Sequence, residues 1–369
     1  MKSSFKLVSF AATKHCMKDY IIIGAGQSGL AIAYYLHKQN VNYLVLDANT
    51  ETGAPWLKRW DSLKLFTPSE FNSLPGLKFP HEKGHYADKY EVADYLKSYV
   101  AAFNIPVEFN HKITSLKKEN GVFKLKSNLK EFEAKNVLIA TGPFHKPFTP
   151  SCHLKISKDV FQIHSEHYKS TDQLQHGATL VVGAGDSGVQ ILSEISKTNT
   201  PVYFSGNTNI TSLPQEILGK TLWWWFHKVG FLTANKYSWI GKILIKTGQP
   251  VIGTDVKTLF KKKNITCVGR TLDANAQSIT FEKQIVSDIK NIVWATGFKP
   301  NFSWIDGIEL DESNYPKNHR GISKTIDGLY FLGLPWLYTR GSATLGGVQR
   351  DAKYLNTYLF KKETKKALT

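Results

Sequence analysis

Two glycine-rich hexapeptides constrain this chain more than any other feature: Gly24-Ala25-Gly26-Gln27-Ser28-Gly29 and Gly183-Ala184-Gly185-Asp186-Ser187-Gly188. Each follows a short apolar run, Tyr20–Ile23 in the first case and Leu180–Val182 in the second. Each precedes apolar residues at helical spacing: Leu30, Ala33, Tyr34 and Leu36, then Val189, Ile191, Leu192 and Ile195. A second apolar strand closes each unit, Tyr43–Leu46 and Val202–Phe204. A glycine run alone serves many turns. Between a strand and a helix it marks a dinucleotide-binding βαβ unit.

A second pair of segments repeats with the first. Asn136-Val137-Leu138-Ile139-Ala140-Thr141-Gly142 is echoed by Asn291-Ile292-Val293-Trp294-Ala295-Thr296-Gly297. Gly24 and Ala140 are 116 residues apart, and Gly183 and Ala295 are 112 apart. Two features in the same order at nearly equal spacing predict an α/β chain with two Rossmann-like dinucleotide-binding domains, the second inserted in the first. The expected boundaries are 17–148 with 298–369 for the first domain and 149–297 for the second.

Each glycine has a separate task. The first permits the tight turn, the second lets a pyrophosphate approach the backbone, and the third lets the helix pack on its strand. The pyrophosphate then meets free N–H groups at the positive end of the helix. Asp47, 18 residues after Gly29 at a strand end, is placed to take ribose hydroxyls; a solvated strand-end residue is the plain alternative. The second copy reads Phe204-Ser205-Gly206-Asn207 there, with neither an acid nor an arginine. That leans toward NADPH, leaves NADH possible, and shows no phosphate clamp. Two sites call for two dinucleotides, and the economical pair is a resident FAD and a visiting NAD(P)H.

Composition removes other classes. An excess of Lys and Arg gives a net charge of +17, yet no nucleic-acid motif accompanies the lysine runs, so a solvated basic surface is expected and no nucleic-acid partner. The three cysteines, Cys16, Cys152 and Cys267, form no CxxC, which indicates neither a disulfide framework nor a zinc site, so no metal is expected, and this fits a cytoplasmic location. No apolar run approaches the ~20 residues of a membrane span. Met17 directly precedes the first strand, and residues 1–16 are expected to be a disordered extension outside the fold.

Further segments carry a resemblance. They are Gly53-Ala54-Pro55-Trp56, Arg59–Leu63, Phe66-Thr67-Pro68, Leu74-Pro75-Gly76, Phe79-Pro80, His164-Ser165-Glu166-His167-Tyr168 and Gly328–Gly333. With the glycine loops and the Ala-Thr-Gly strands, the chain over about 17–355 resembles the class B flavin-dependent monooxygenases. The resemblance implies FAD on the first loop and NAD(P)H on the second. It implies that Trp56 lies along the flavin and that the segment at Gly333 returns to complete the flavin site. It also implies a reaction in which NAD(P)H reduces FAD and O2 adds to give a C4a-(hydro)peroxyflavin that oxygenates a small organic substrate. The usual fingerprint keeps His164 and Tyr168 but has Lys158 and Val160 where Phe and Gly stand in the family; Asn207 replaces a frequent Arg, and no asparagine lies within Phe66–Ser69. A flavoprotein reductase serving a carrier or quinone, and a low-turnover redox-regulatory flavoprotein, remain the alternatives.

The expected cofactor contacts are therefore Gly24, Gly26, Gln27, Ser28, Gly29, Asp47, Trp56, Thr141, Gly142 and Gly333 for FAD, and Gly183, Gly185, Asp186, Ser187, Gly188, Ser205, Thr296 and Gly297 for NAD(P)H. The flavin carries the chemistry, and no catalytic side chain is assigned. Thr67, His164 and Tyr168 are the candidates, and the last two, one turn apart if helical, are read first as contacts that couple the domains and second as acid–base groups. A tryptophan-rich stretch at about 213–250 reads as a helical insertion: a lid over the flavin, added core, or a peripheral membrane-surface segment. Thr339-Arg340-Gly341-Ser342 and the small residues after it suit close approach to the flavin ring, or simple helix packing.

Overall fold

β1 (Lys18–Ile23) passes through the first glycine loop into α1 (Gln27–Lys38) and returns as β2 (Tyr43–Leu46), with β1 and β2 parallel. This and all further geometry come from a computed structural model, which describes residues 17–247 and 250–367. The expectation for residues 1–16 lies outside the described residues. Ile21, Ile22 and Val45 are fully buried, as a central parallel strand with helices on both faces requires. After α2 (Lys89–Ala102) the chain adds β3 (Val107–Glu108), an antiparallel pair β4 (Ile113–Glu119) and β5 (Val122–Ser127), and then β6 (Glu131–Ile139), which lies parallel to β1 on its other side. Ala140-Thr141-Gly142 follows directly from β6.

The second half repeats this plan. β7 (Phe161–His164) precedes β8 (Ala178–Val182), the second glycine loop, α3 (Asp186–Ile195) and β9 (Val202–Ser205). β10 (Ile265–Gly269) is followed by a three-stranded antiparallel layer, β11 (Thr271–Ala274), β12 (Ser278–Phe281) and β13 (Ile285–Ser287), and then by β14 (Ile289–Trp294). The parallel order β7-β14-β8-β9-β10 matches the first sheet element for element, where the order is a fifth strand, then β6-β1-β2-β3. That fifth strand is β15 (Leu329–Phe331), parallel to β6 and contributed after the second sheet is complete. The 20-residue α6 (Val348–Ala367) then packs back on α1.

The two crossings between sheets run side by side. Lys146-Pro147 pairs antiparallel with Phe298-Lys299. Arg59 lies over the rings of Phe144 and Phe298, at 4.9 and 5.9 Å, and ties this crossing to the first half. The tryptophan-rich stretch leaves the second half between Ser212-Leu213 and Val251-Ile252, which pair parallel at its root. It contains α4 (Leu222–Lys228) and α5 (Trp239–Thr247). Among the described residues no helix is long and apolar enough to cross a membrane.

Candidate functional site

The two glycine loops are built alike to the level of single atoms. Gly24 and Gly183 lie at φ +109° and +125°, a region that favours glycine. A Cβ on Gly24 would sit 2.6 Å from the carbonyl oxygen of Ala140, and one on Gly183 would strike the carbonyl of Ala295. The first glycine of each loop is thus pressed against its own Ala-Thr-Gly segment. A Cβ on Gly29 or Gly188 would strike the carbonyl of Gly24 or Gly183, so the third glycine sets how closely helix meets strand. Gly26 and Gly185 differ: both are extended, and a Cβ on either meets nothing within 4 Å. No protein packing requires glycine at these two positions. What they leave is open space in front of α1 and α3, whose N-termini carry no side-chain cap. Unmet N–H donors, a positive helix end and a missing Cβ form an open cradle of the kind that could hold a pyrophosphate.

The ends of the second strands differ. The Gly24 N–H donates to Leu46 O (2.7 Å), and the Gly183 N–H donates to Ser205 O (2.9 Å). These equivalent bonds align Leu46 with Ser205, and therefore Asp47 with Gly206. Asp47 is buried and its Oδ2 accepts from the Ala25 N–H at 2.6 Å, while Oδ1 accepts from the Asn49 backbone at 2.7 Å. Gly206 has no side chain, and a Cβ there would point at Ala184, the counterpart of Ala25. Asn207, one residue further, is exposed and caps its own turn by accepting from the Asn209 N–H at 2.9 Å. The Gly206 N–H donates to Gly269 O at 3.0 Å, which brings the backbone of the exposed Arg270 next to this strand end, where its Nε lies 3.7 Å from Glu282 Oε1. Sequence spacing did not single out Arg270, because it arrives from β10, far along the chain. The Ser205 hydroxyl is buried and bonded to Thr271 Oγ1 at 2.7 Å, facing the neighbouring strand rather than the cradle.

His164 and Tyr168 do not share a helix. His164 ends β7, and Tyr168 follows in a turn whose N–H donates to His164 O at 3.2 Å. His164 Nδ1 accepts from the Glu166 N–H (3.1 Å), so Nε2 carries the proton and donates to Gly297 O (3.1 Å). Burial holds this imidazole below its ordinary value, and the Gly297 carbonyl partly opposes that. Tyr168 is fully buried, and its hydroxyl donates to Glu194 Oε1 at 3.1 Å. Burial, with Glu194 close by, pushes the phenol far above its usual range. Ser62 Oγ donates to the other Glu194 oxygen, and the Asp61 N–H donates to Lys169 O at 2.8 Å. His164 therefore bonds within the second half, and Tyr168 holds Glu194, which takes the Ser62 hydroxyl from the first half. Thr296 likewise donates to Phe148 O at the crossing, whereas Thr141 is exposed and bonded to His145 Nε2 at 3.1 Å. Gly142 and Gly297, at φ +71° and +81°, have open space where a Cβ would lie.

The remaining site residues converge from far apart. Gly333 sits so close to α1 that a Cβ would strike Ser28, so the returning chain closes on the first cradle. Gln27 and Ser187 lie half-buried at their helix starts, and Trp56 packs against the cores of both halves. Thr67 is buried, donating to Asn72 Oδ1 (2.6 Å) while Asn72 Nδ2 donates back to Thr67 O (3.0 Å). Asn72 is a buried asparagine just beyond the segment that sequence comparison covered. Trp223 of α4 stacks on Phe66 with ring centroids 6.0 Å apart, and its indole N–H donates to Phe66 O at 2.9 Å. At the far end of the insertion, the Lys236 N–H donates to Tyr338 O at 2.8 Å. The insertion thus bridges Phe66–Phe71 and the segment Tyr338-Thr339. Next to that segment Arg340 interacts with Asp186 at the start of α3; burial raises the Asp186 carboxyl and lowers the Arg340 guanidinium, and each charge opposes the other's shift. A recess of about 230 Å3, lined by Lys64, Phe66, Gln190, Glu194 and Gly253, lies at the C-terminal half of α3 rather than at either glycine loop. It is smaller than the ~300–1,000 Å3 of ordinary small-molecule pockets.

Comparison with known proteins agrees with this geometry. Residues 21–216 match the pyridine nucleotide-disulphide oxidoreductase family. The uncharacterized oxidoreductase CzcO of Bacillus subtilis (strain 168) is 41% identical over 341 residues, covering 92% of this chain and 98% of the relative. A probable indole-3-pyruvate monooxygenase of Arabidopsis thaliana, YUCCA9, is 27% identical over 394 residues, covering 95% and 92%. Among solved structures, the flavin-containing monooxygenase from Stenotrophomonas maltophilia superposes with a TM-score of 0.76 at 23% identity, covering 94% of this chain and 99% of that one. At that identity the likeness speaks for the fold: two dinucleotide-binding domains of mixed α/β type.

Proposed function

The chain belongs to the pyridine nucleotide-disulphide oxidoreductase family, and from that membership we propose that it is an FAD-dependent monooxygenase that takes its electrons from NADPH. The observation that carries this reading is the pair of like-built cradles with unlike adenosine ends. Asp47 suits the unphosphorylated ribose of FAD: its carboxylate accepts from hydroxyls and would repel a phosphate. Gly206 leaves that space free beside Arg270, whose guanidinium suits a 2′-phosphate. The first domain would be 17–148 with 298–369, and the second 149–297.

The open positions at Gly26 and Gly185 fit dinucleotides without any change in packing. FAD, when bound, supplies the hydride acceptor and the oxygen-activating centre. The protein's own share is placement and exclusion of water. Gly24, Gly26, Gln27, Ser28, Gly29, Thr141, Gly142 and Gly333 surround the first cradle, and Gly183, Gly185, Asp186, Ser187, Gly188 and Gly297 the second. Trp56 and Thr67–Asn72 lie where the halves meet. The insertion, anchored by Trp223 on Phe66, acts as a lid that keeps the space between the halves dry. Tyr168 holds Glu194 in place for Ser62 of the first half, and His164 fixes the carbonyl of Gly297 at the crossing, rather than moving protons. Thiol relay through this chain is not the route: Cys152 and Cys267 form no CxxC pair, and burial pushes both thiols up.

The supporting relatives are the monooxygenases of Arabidopsis thaliana and Stenotrophomonas maltophilia named above. The test reduces the FAD-loaded protein with NADPH without oxygen, then admits 18O2 with a sulfide, an amine, a ketone or a 2-oxo acid. Monooxygenation puts one labelled atom into product per NADPH consumed. Conversion of every electron pair to hydrogen peroxide with all four substrate classes overturns it in favour of a reductase. A flavin that NADPH does not bleach overturns both.

A further inference from the structure

A loop far in sequence from both glycine cradles brings three donor side chains together. It runs from Phe79 to Asp88 and enters α2, and it carries His81 and His85. Their rings stack with centroids 4.6 Å apart and 30° between planes. Both Nε2 atoms reach one carboxylate: His81 Nε2 lies 3.3 Å from Glu91 Oε1, and His85 Nε2 lies 2.9 Å from Glu91 Oε2. All three donor groups fall within 4.8 Å of one another, and they form the one such His, Cys and acid cluster found among the described residues.

The cluster is held by its surroundings. Glu91 occupies the third position of α2, where its Oε2 accepts from the Asp88 N–H at 2.8 Å while Asp88 accepts from the Glu91 N–H at 2.9 Å. This capping box fixes the carboxylate on the rigid first turn of a 14-residue helix. The opposite side of the loop is fixed by Glu70, which accepts from the Gly84 N–H at 2.9 Å, and the Phe79 ring backs His81 with centroids 5.5 Å apart. Donor separations of 2.9 and 3.3 Å correspond to the edges of a coordination shell. Metal–ligand bonds of about 2.0–2.2 Å place neighbouring ligands roughly 3.0–3.5 Å apart. Loss of the ring protons that now face Glu91 turns each imidazole into a ligand in place. All three side chains are about a third exposed, which leaves room for water to complete the shell.

We propose that His81, His85 and Glu91 bind one divalent transition-metal ion of the zinc type, outside the redox centre. Two imidazoles and a carboxylate without thiolate suit zinc and its borderline neighbours rather than magnesium or calcium. The site also has a connection to the rest of the protein. Tyr86, next to His85, donates to Gln215 O at 3.2 Å, at the root of the tryptophan-rich insertion. An ion on this loop joins the first turn of α2 to the support of the insertion and stiffens both. The cysteine count could not reveal this site, because it contains no cysteine.

The test uses the tag-free, FAD-loaded full chain, stripped with EDTA and desalted. Cobalt(II) chloride is titrated while visible d–d bands to the red of the flavin are followed, and zinc chloride is then added in competition. The expected result is one saturable equivalent of cobalt, displaced by one equivalent of zinc. His81→Ala and His85→Ala each weaken binding by at least about tenfold, and Glu91→Gln, which preserves the helix cap, weakens it too. His176→Ala, at an exposed histidine elsewhere, leaves binding unchanged. Retained FAD and an unaltered circular dichroism spectrum show that each variant is folded. Absence of saturable binding in the parent protein overturns the proposal, as does equal binding by a folded His81→Ala/His85→Ala variant.

Discussion

Alanine in place of Gly26 should separate folding from cofactor binding. In the free protein the new Cβ meets nothing within 4 Å, and the backbone there, φ −78° and ψ −177°, is open to any residue. Losing a glycine reduces the freedom of the unfolded chain, so the apoprotein should be unchanged or stabilised by about 0.4–1 kcal/mol. The methyl group, however, occupies the place a pyrophosphate must take to reach the first N–H groups of α1. Each hydrogen bond to a charged partner contributes about 1.5–3 kcal/mol, so losing one or two costs roughly 2–5 kcal/mol. At about 1.4 kcal/mol per decade, FAD affinity falls by about 30- to 3,000-fold. Gly29→Ala should do the opposite, because its Cβ runs into the Gly24 carbonyl and the helix must move off its strand. Urea denaturation of the apoprotein measures the first quantity, and quenching of FAD fluorescence measures the second. An apo Gly26→Ala protein that is destabilised, or one that binds FAD as tightly as the parent, would refute the reasoning. Gly185→Ala is the matching case: FAD stays bound and KM for NADPH rises.

Three further outcomes follow from single contacts. Arg270→Ala should raise KM for NADPH by about tenfold while leaving NADH turnover nearly unchanged, as expected for a phosphate contact; steady-state kinetics with both coenzymes decides this, and an equal effect on both removes Arg270 from that role. Tyr168→Phe should cost about 1–2 kcal/mol in stability through the lost bond to Glu194, with kcat within about threefold of the parent, whereas the loss of an acid–base catalyst would lower kcat by about 100-fold or more. Burial lowers the affinities of His145 and His164 for protons below the ordinary value of 6.5. The folded state therefore prefers them neutral, so their contribution is fully present above pH 6.5 and is lost as pH falls through that value toward the lowered folded ones. The urea midpoint should drop on acidification below pH 6.5, less so in His164→Gln, and an equal drop in that variant would show that His164 does not contribute.

The parts of this site that were legible in the sequence are those written in short-range pattern. The glycine loops, the strands that feed them and Asp47 all lie within one βαβ unit, where spacing alone places a residue on its element. The Ala-Thr-Gly repeats extended this to a duplicated fold, and in the structure β6 pairs with β1 and β14 with β8, each repeat backing its own first glycine. Where a role depends on register between distant strands, spacing misleads. Counting along the second copy drew attention to Asn207, while the bond from Gly183 to Ser205 makes Gly206 the counterpart of Asp47. Arg270 is brought to Gly206 by a strand far along the chain, and the charges of Arg340 and Asp186 act on each other across 154 positions, where no local pattern joins the segments. The four-residue spacing of His164 and Tyr168 suits a helix, but β7 needs His164 as its last residue beside Trp294. Sheet pairing overrides the local period there.

The order of the strands has a thermodynamic consequence of its own. Both sheets share a run of five parallel strands in the same order, but the outermost strand of that run is β7, ahead of β8, in the second and β15, near the end of the chain, in the first. The first half therefore cannot complete its sheet until the second half has been threaded out and back across the paired crossing at Lys146-Pro147 and Phe298-Lys299. β15 leads directly into Gly333, which presses on Ser28 at the start of α1, and α6 then packs along that helix. A ligand on the first cradle thus bears on contacts drawn from both ends of the chain. Its binding energy is added to an assembly that includes β15 and α6. Hydrogen exchange in Leu329–Phe331 should slow when FAD binds, although those residues lie about 300 positions from Gly24. An effect confined to residues before 148 would mean that the returning strand contributes nothing to the cradle it touches.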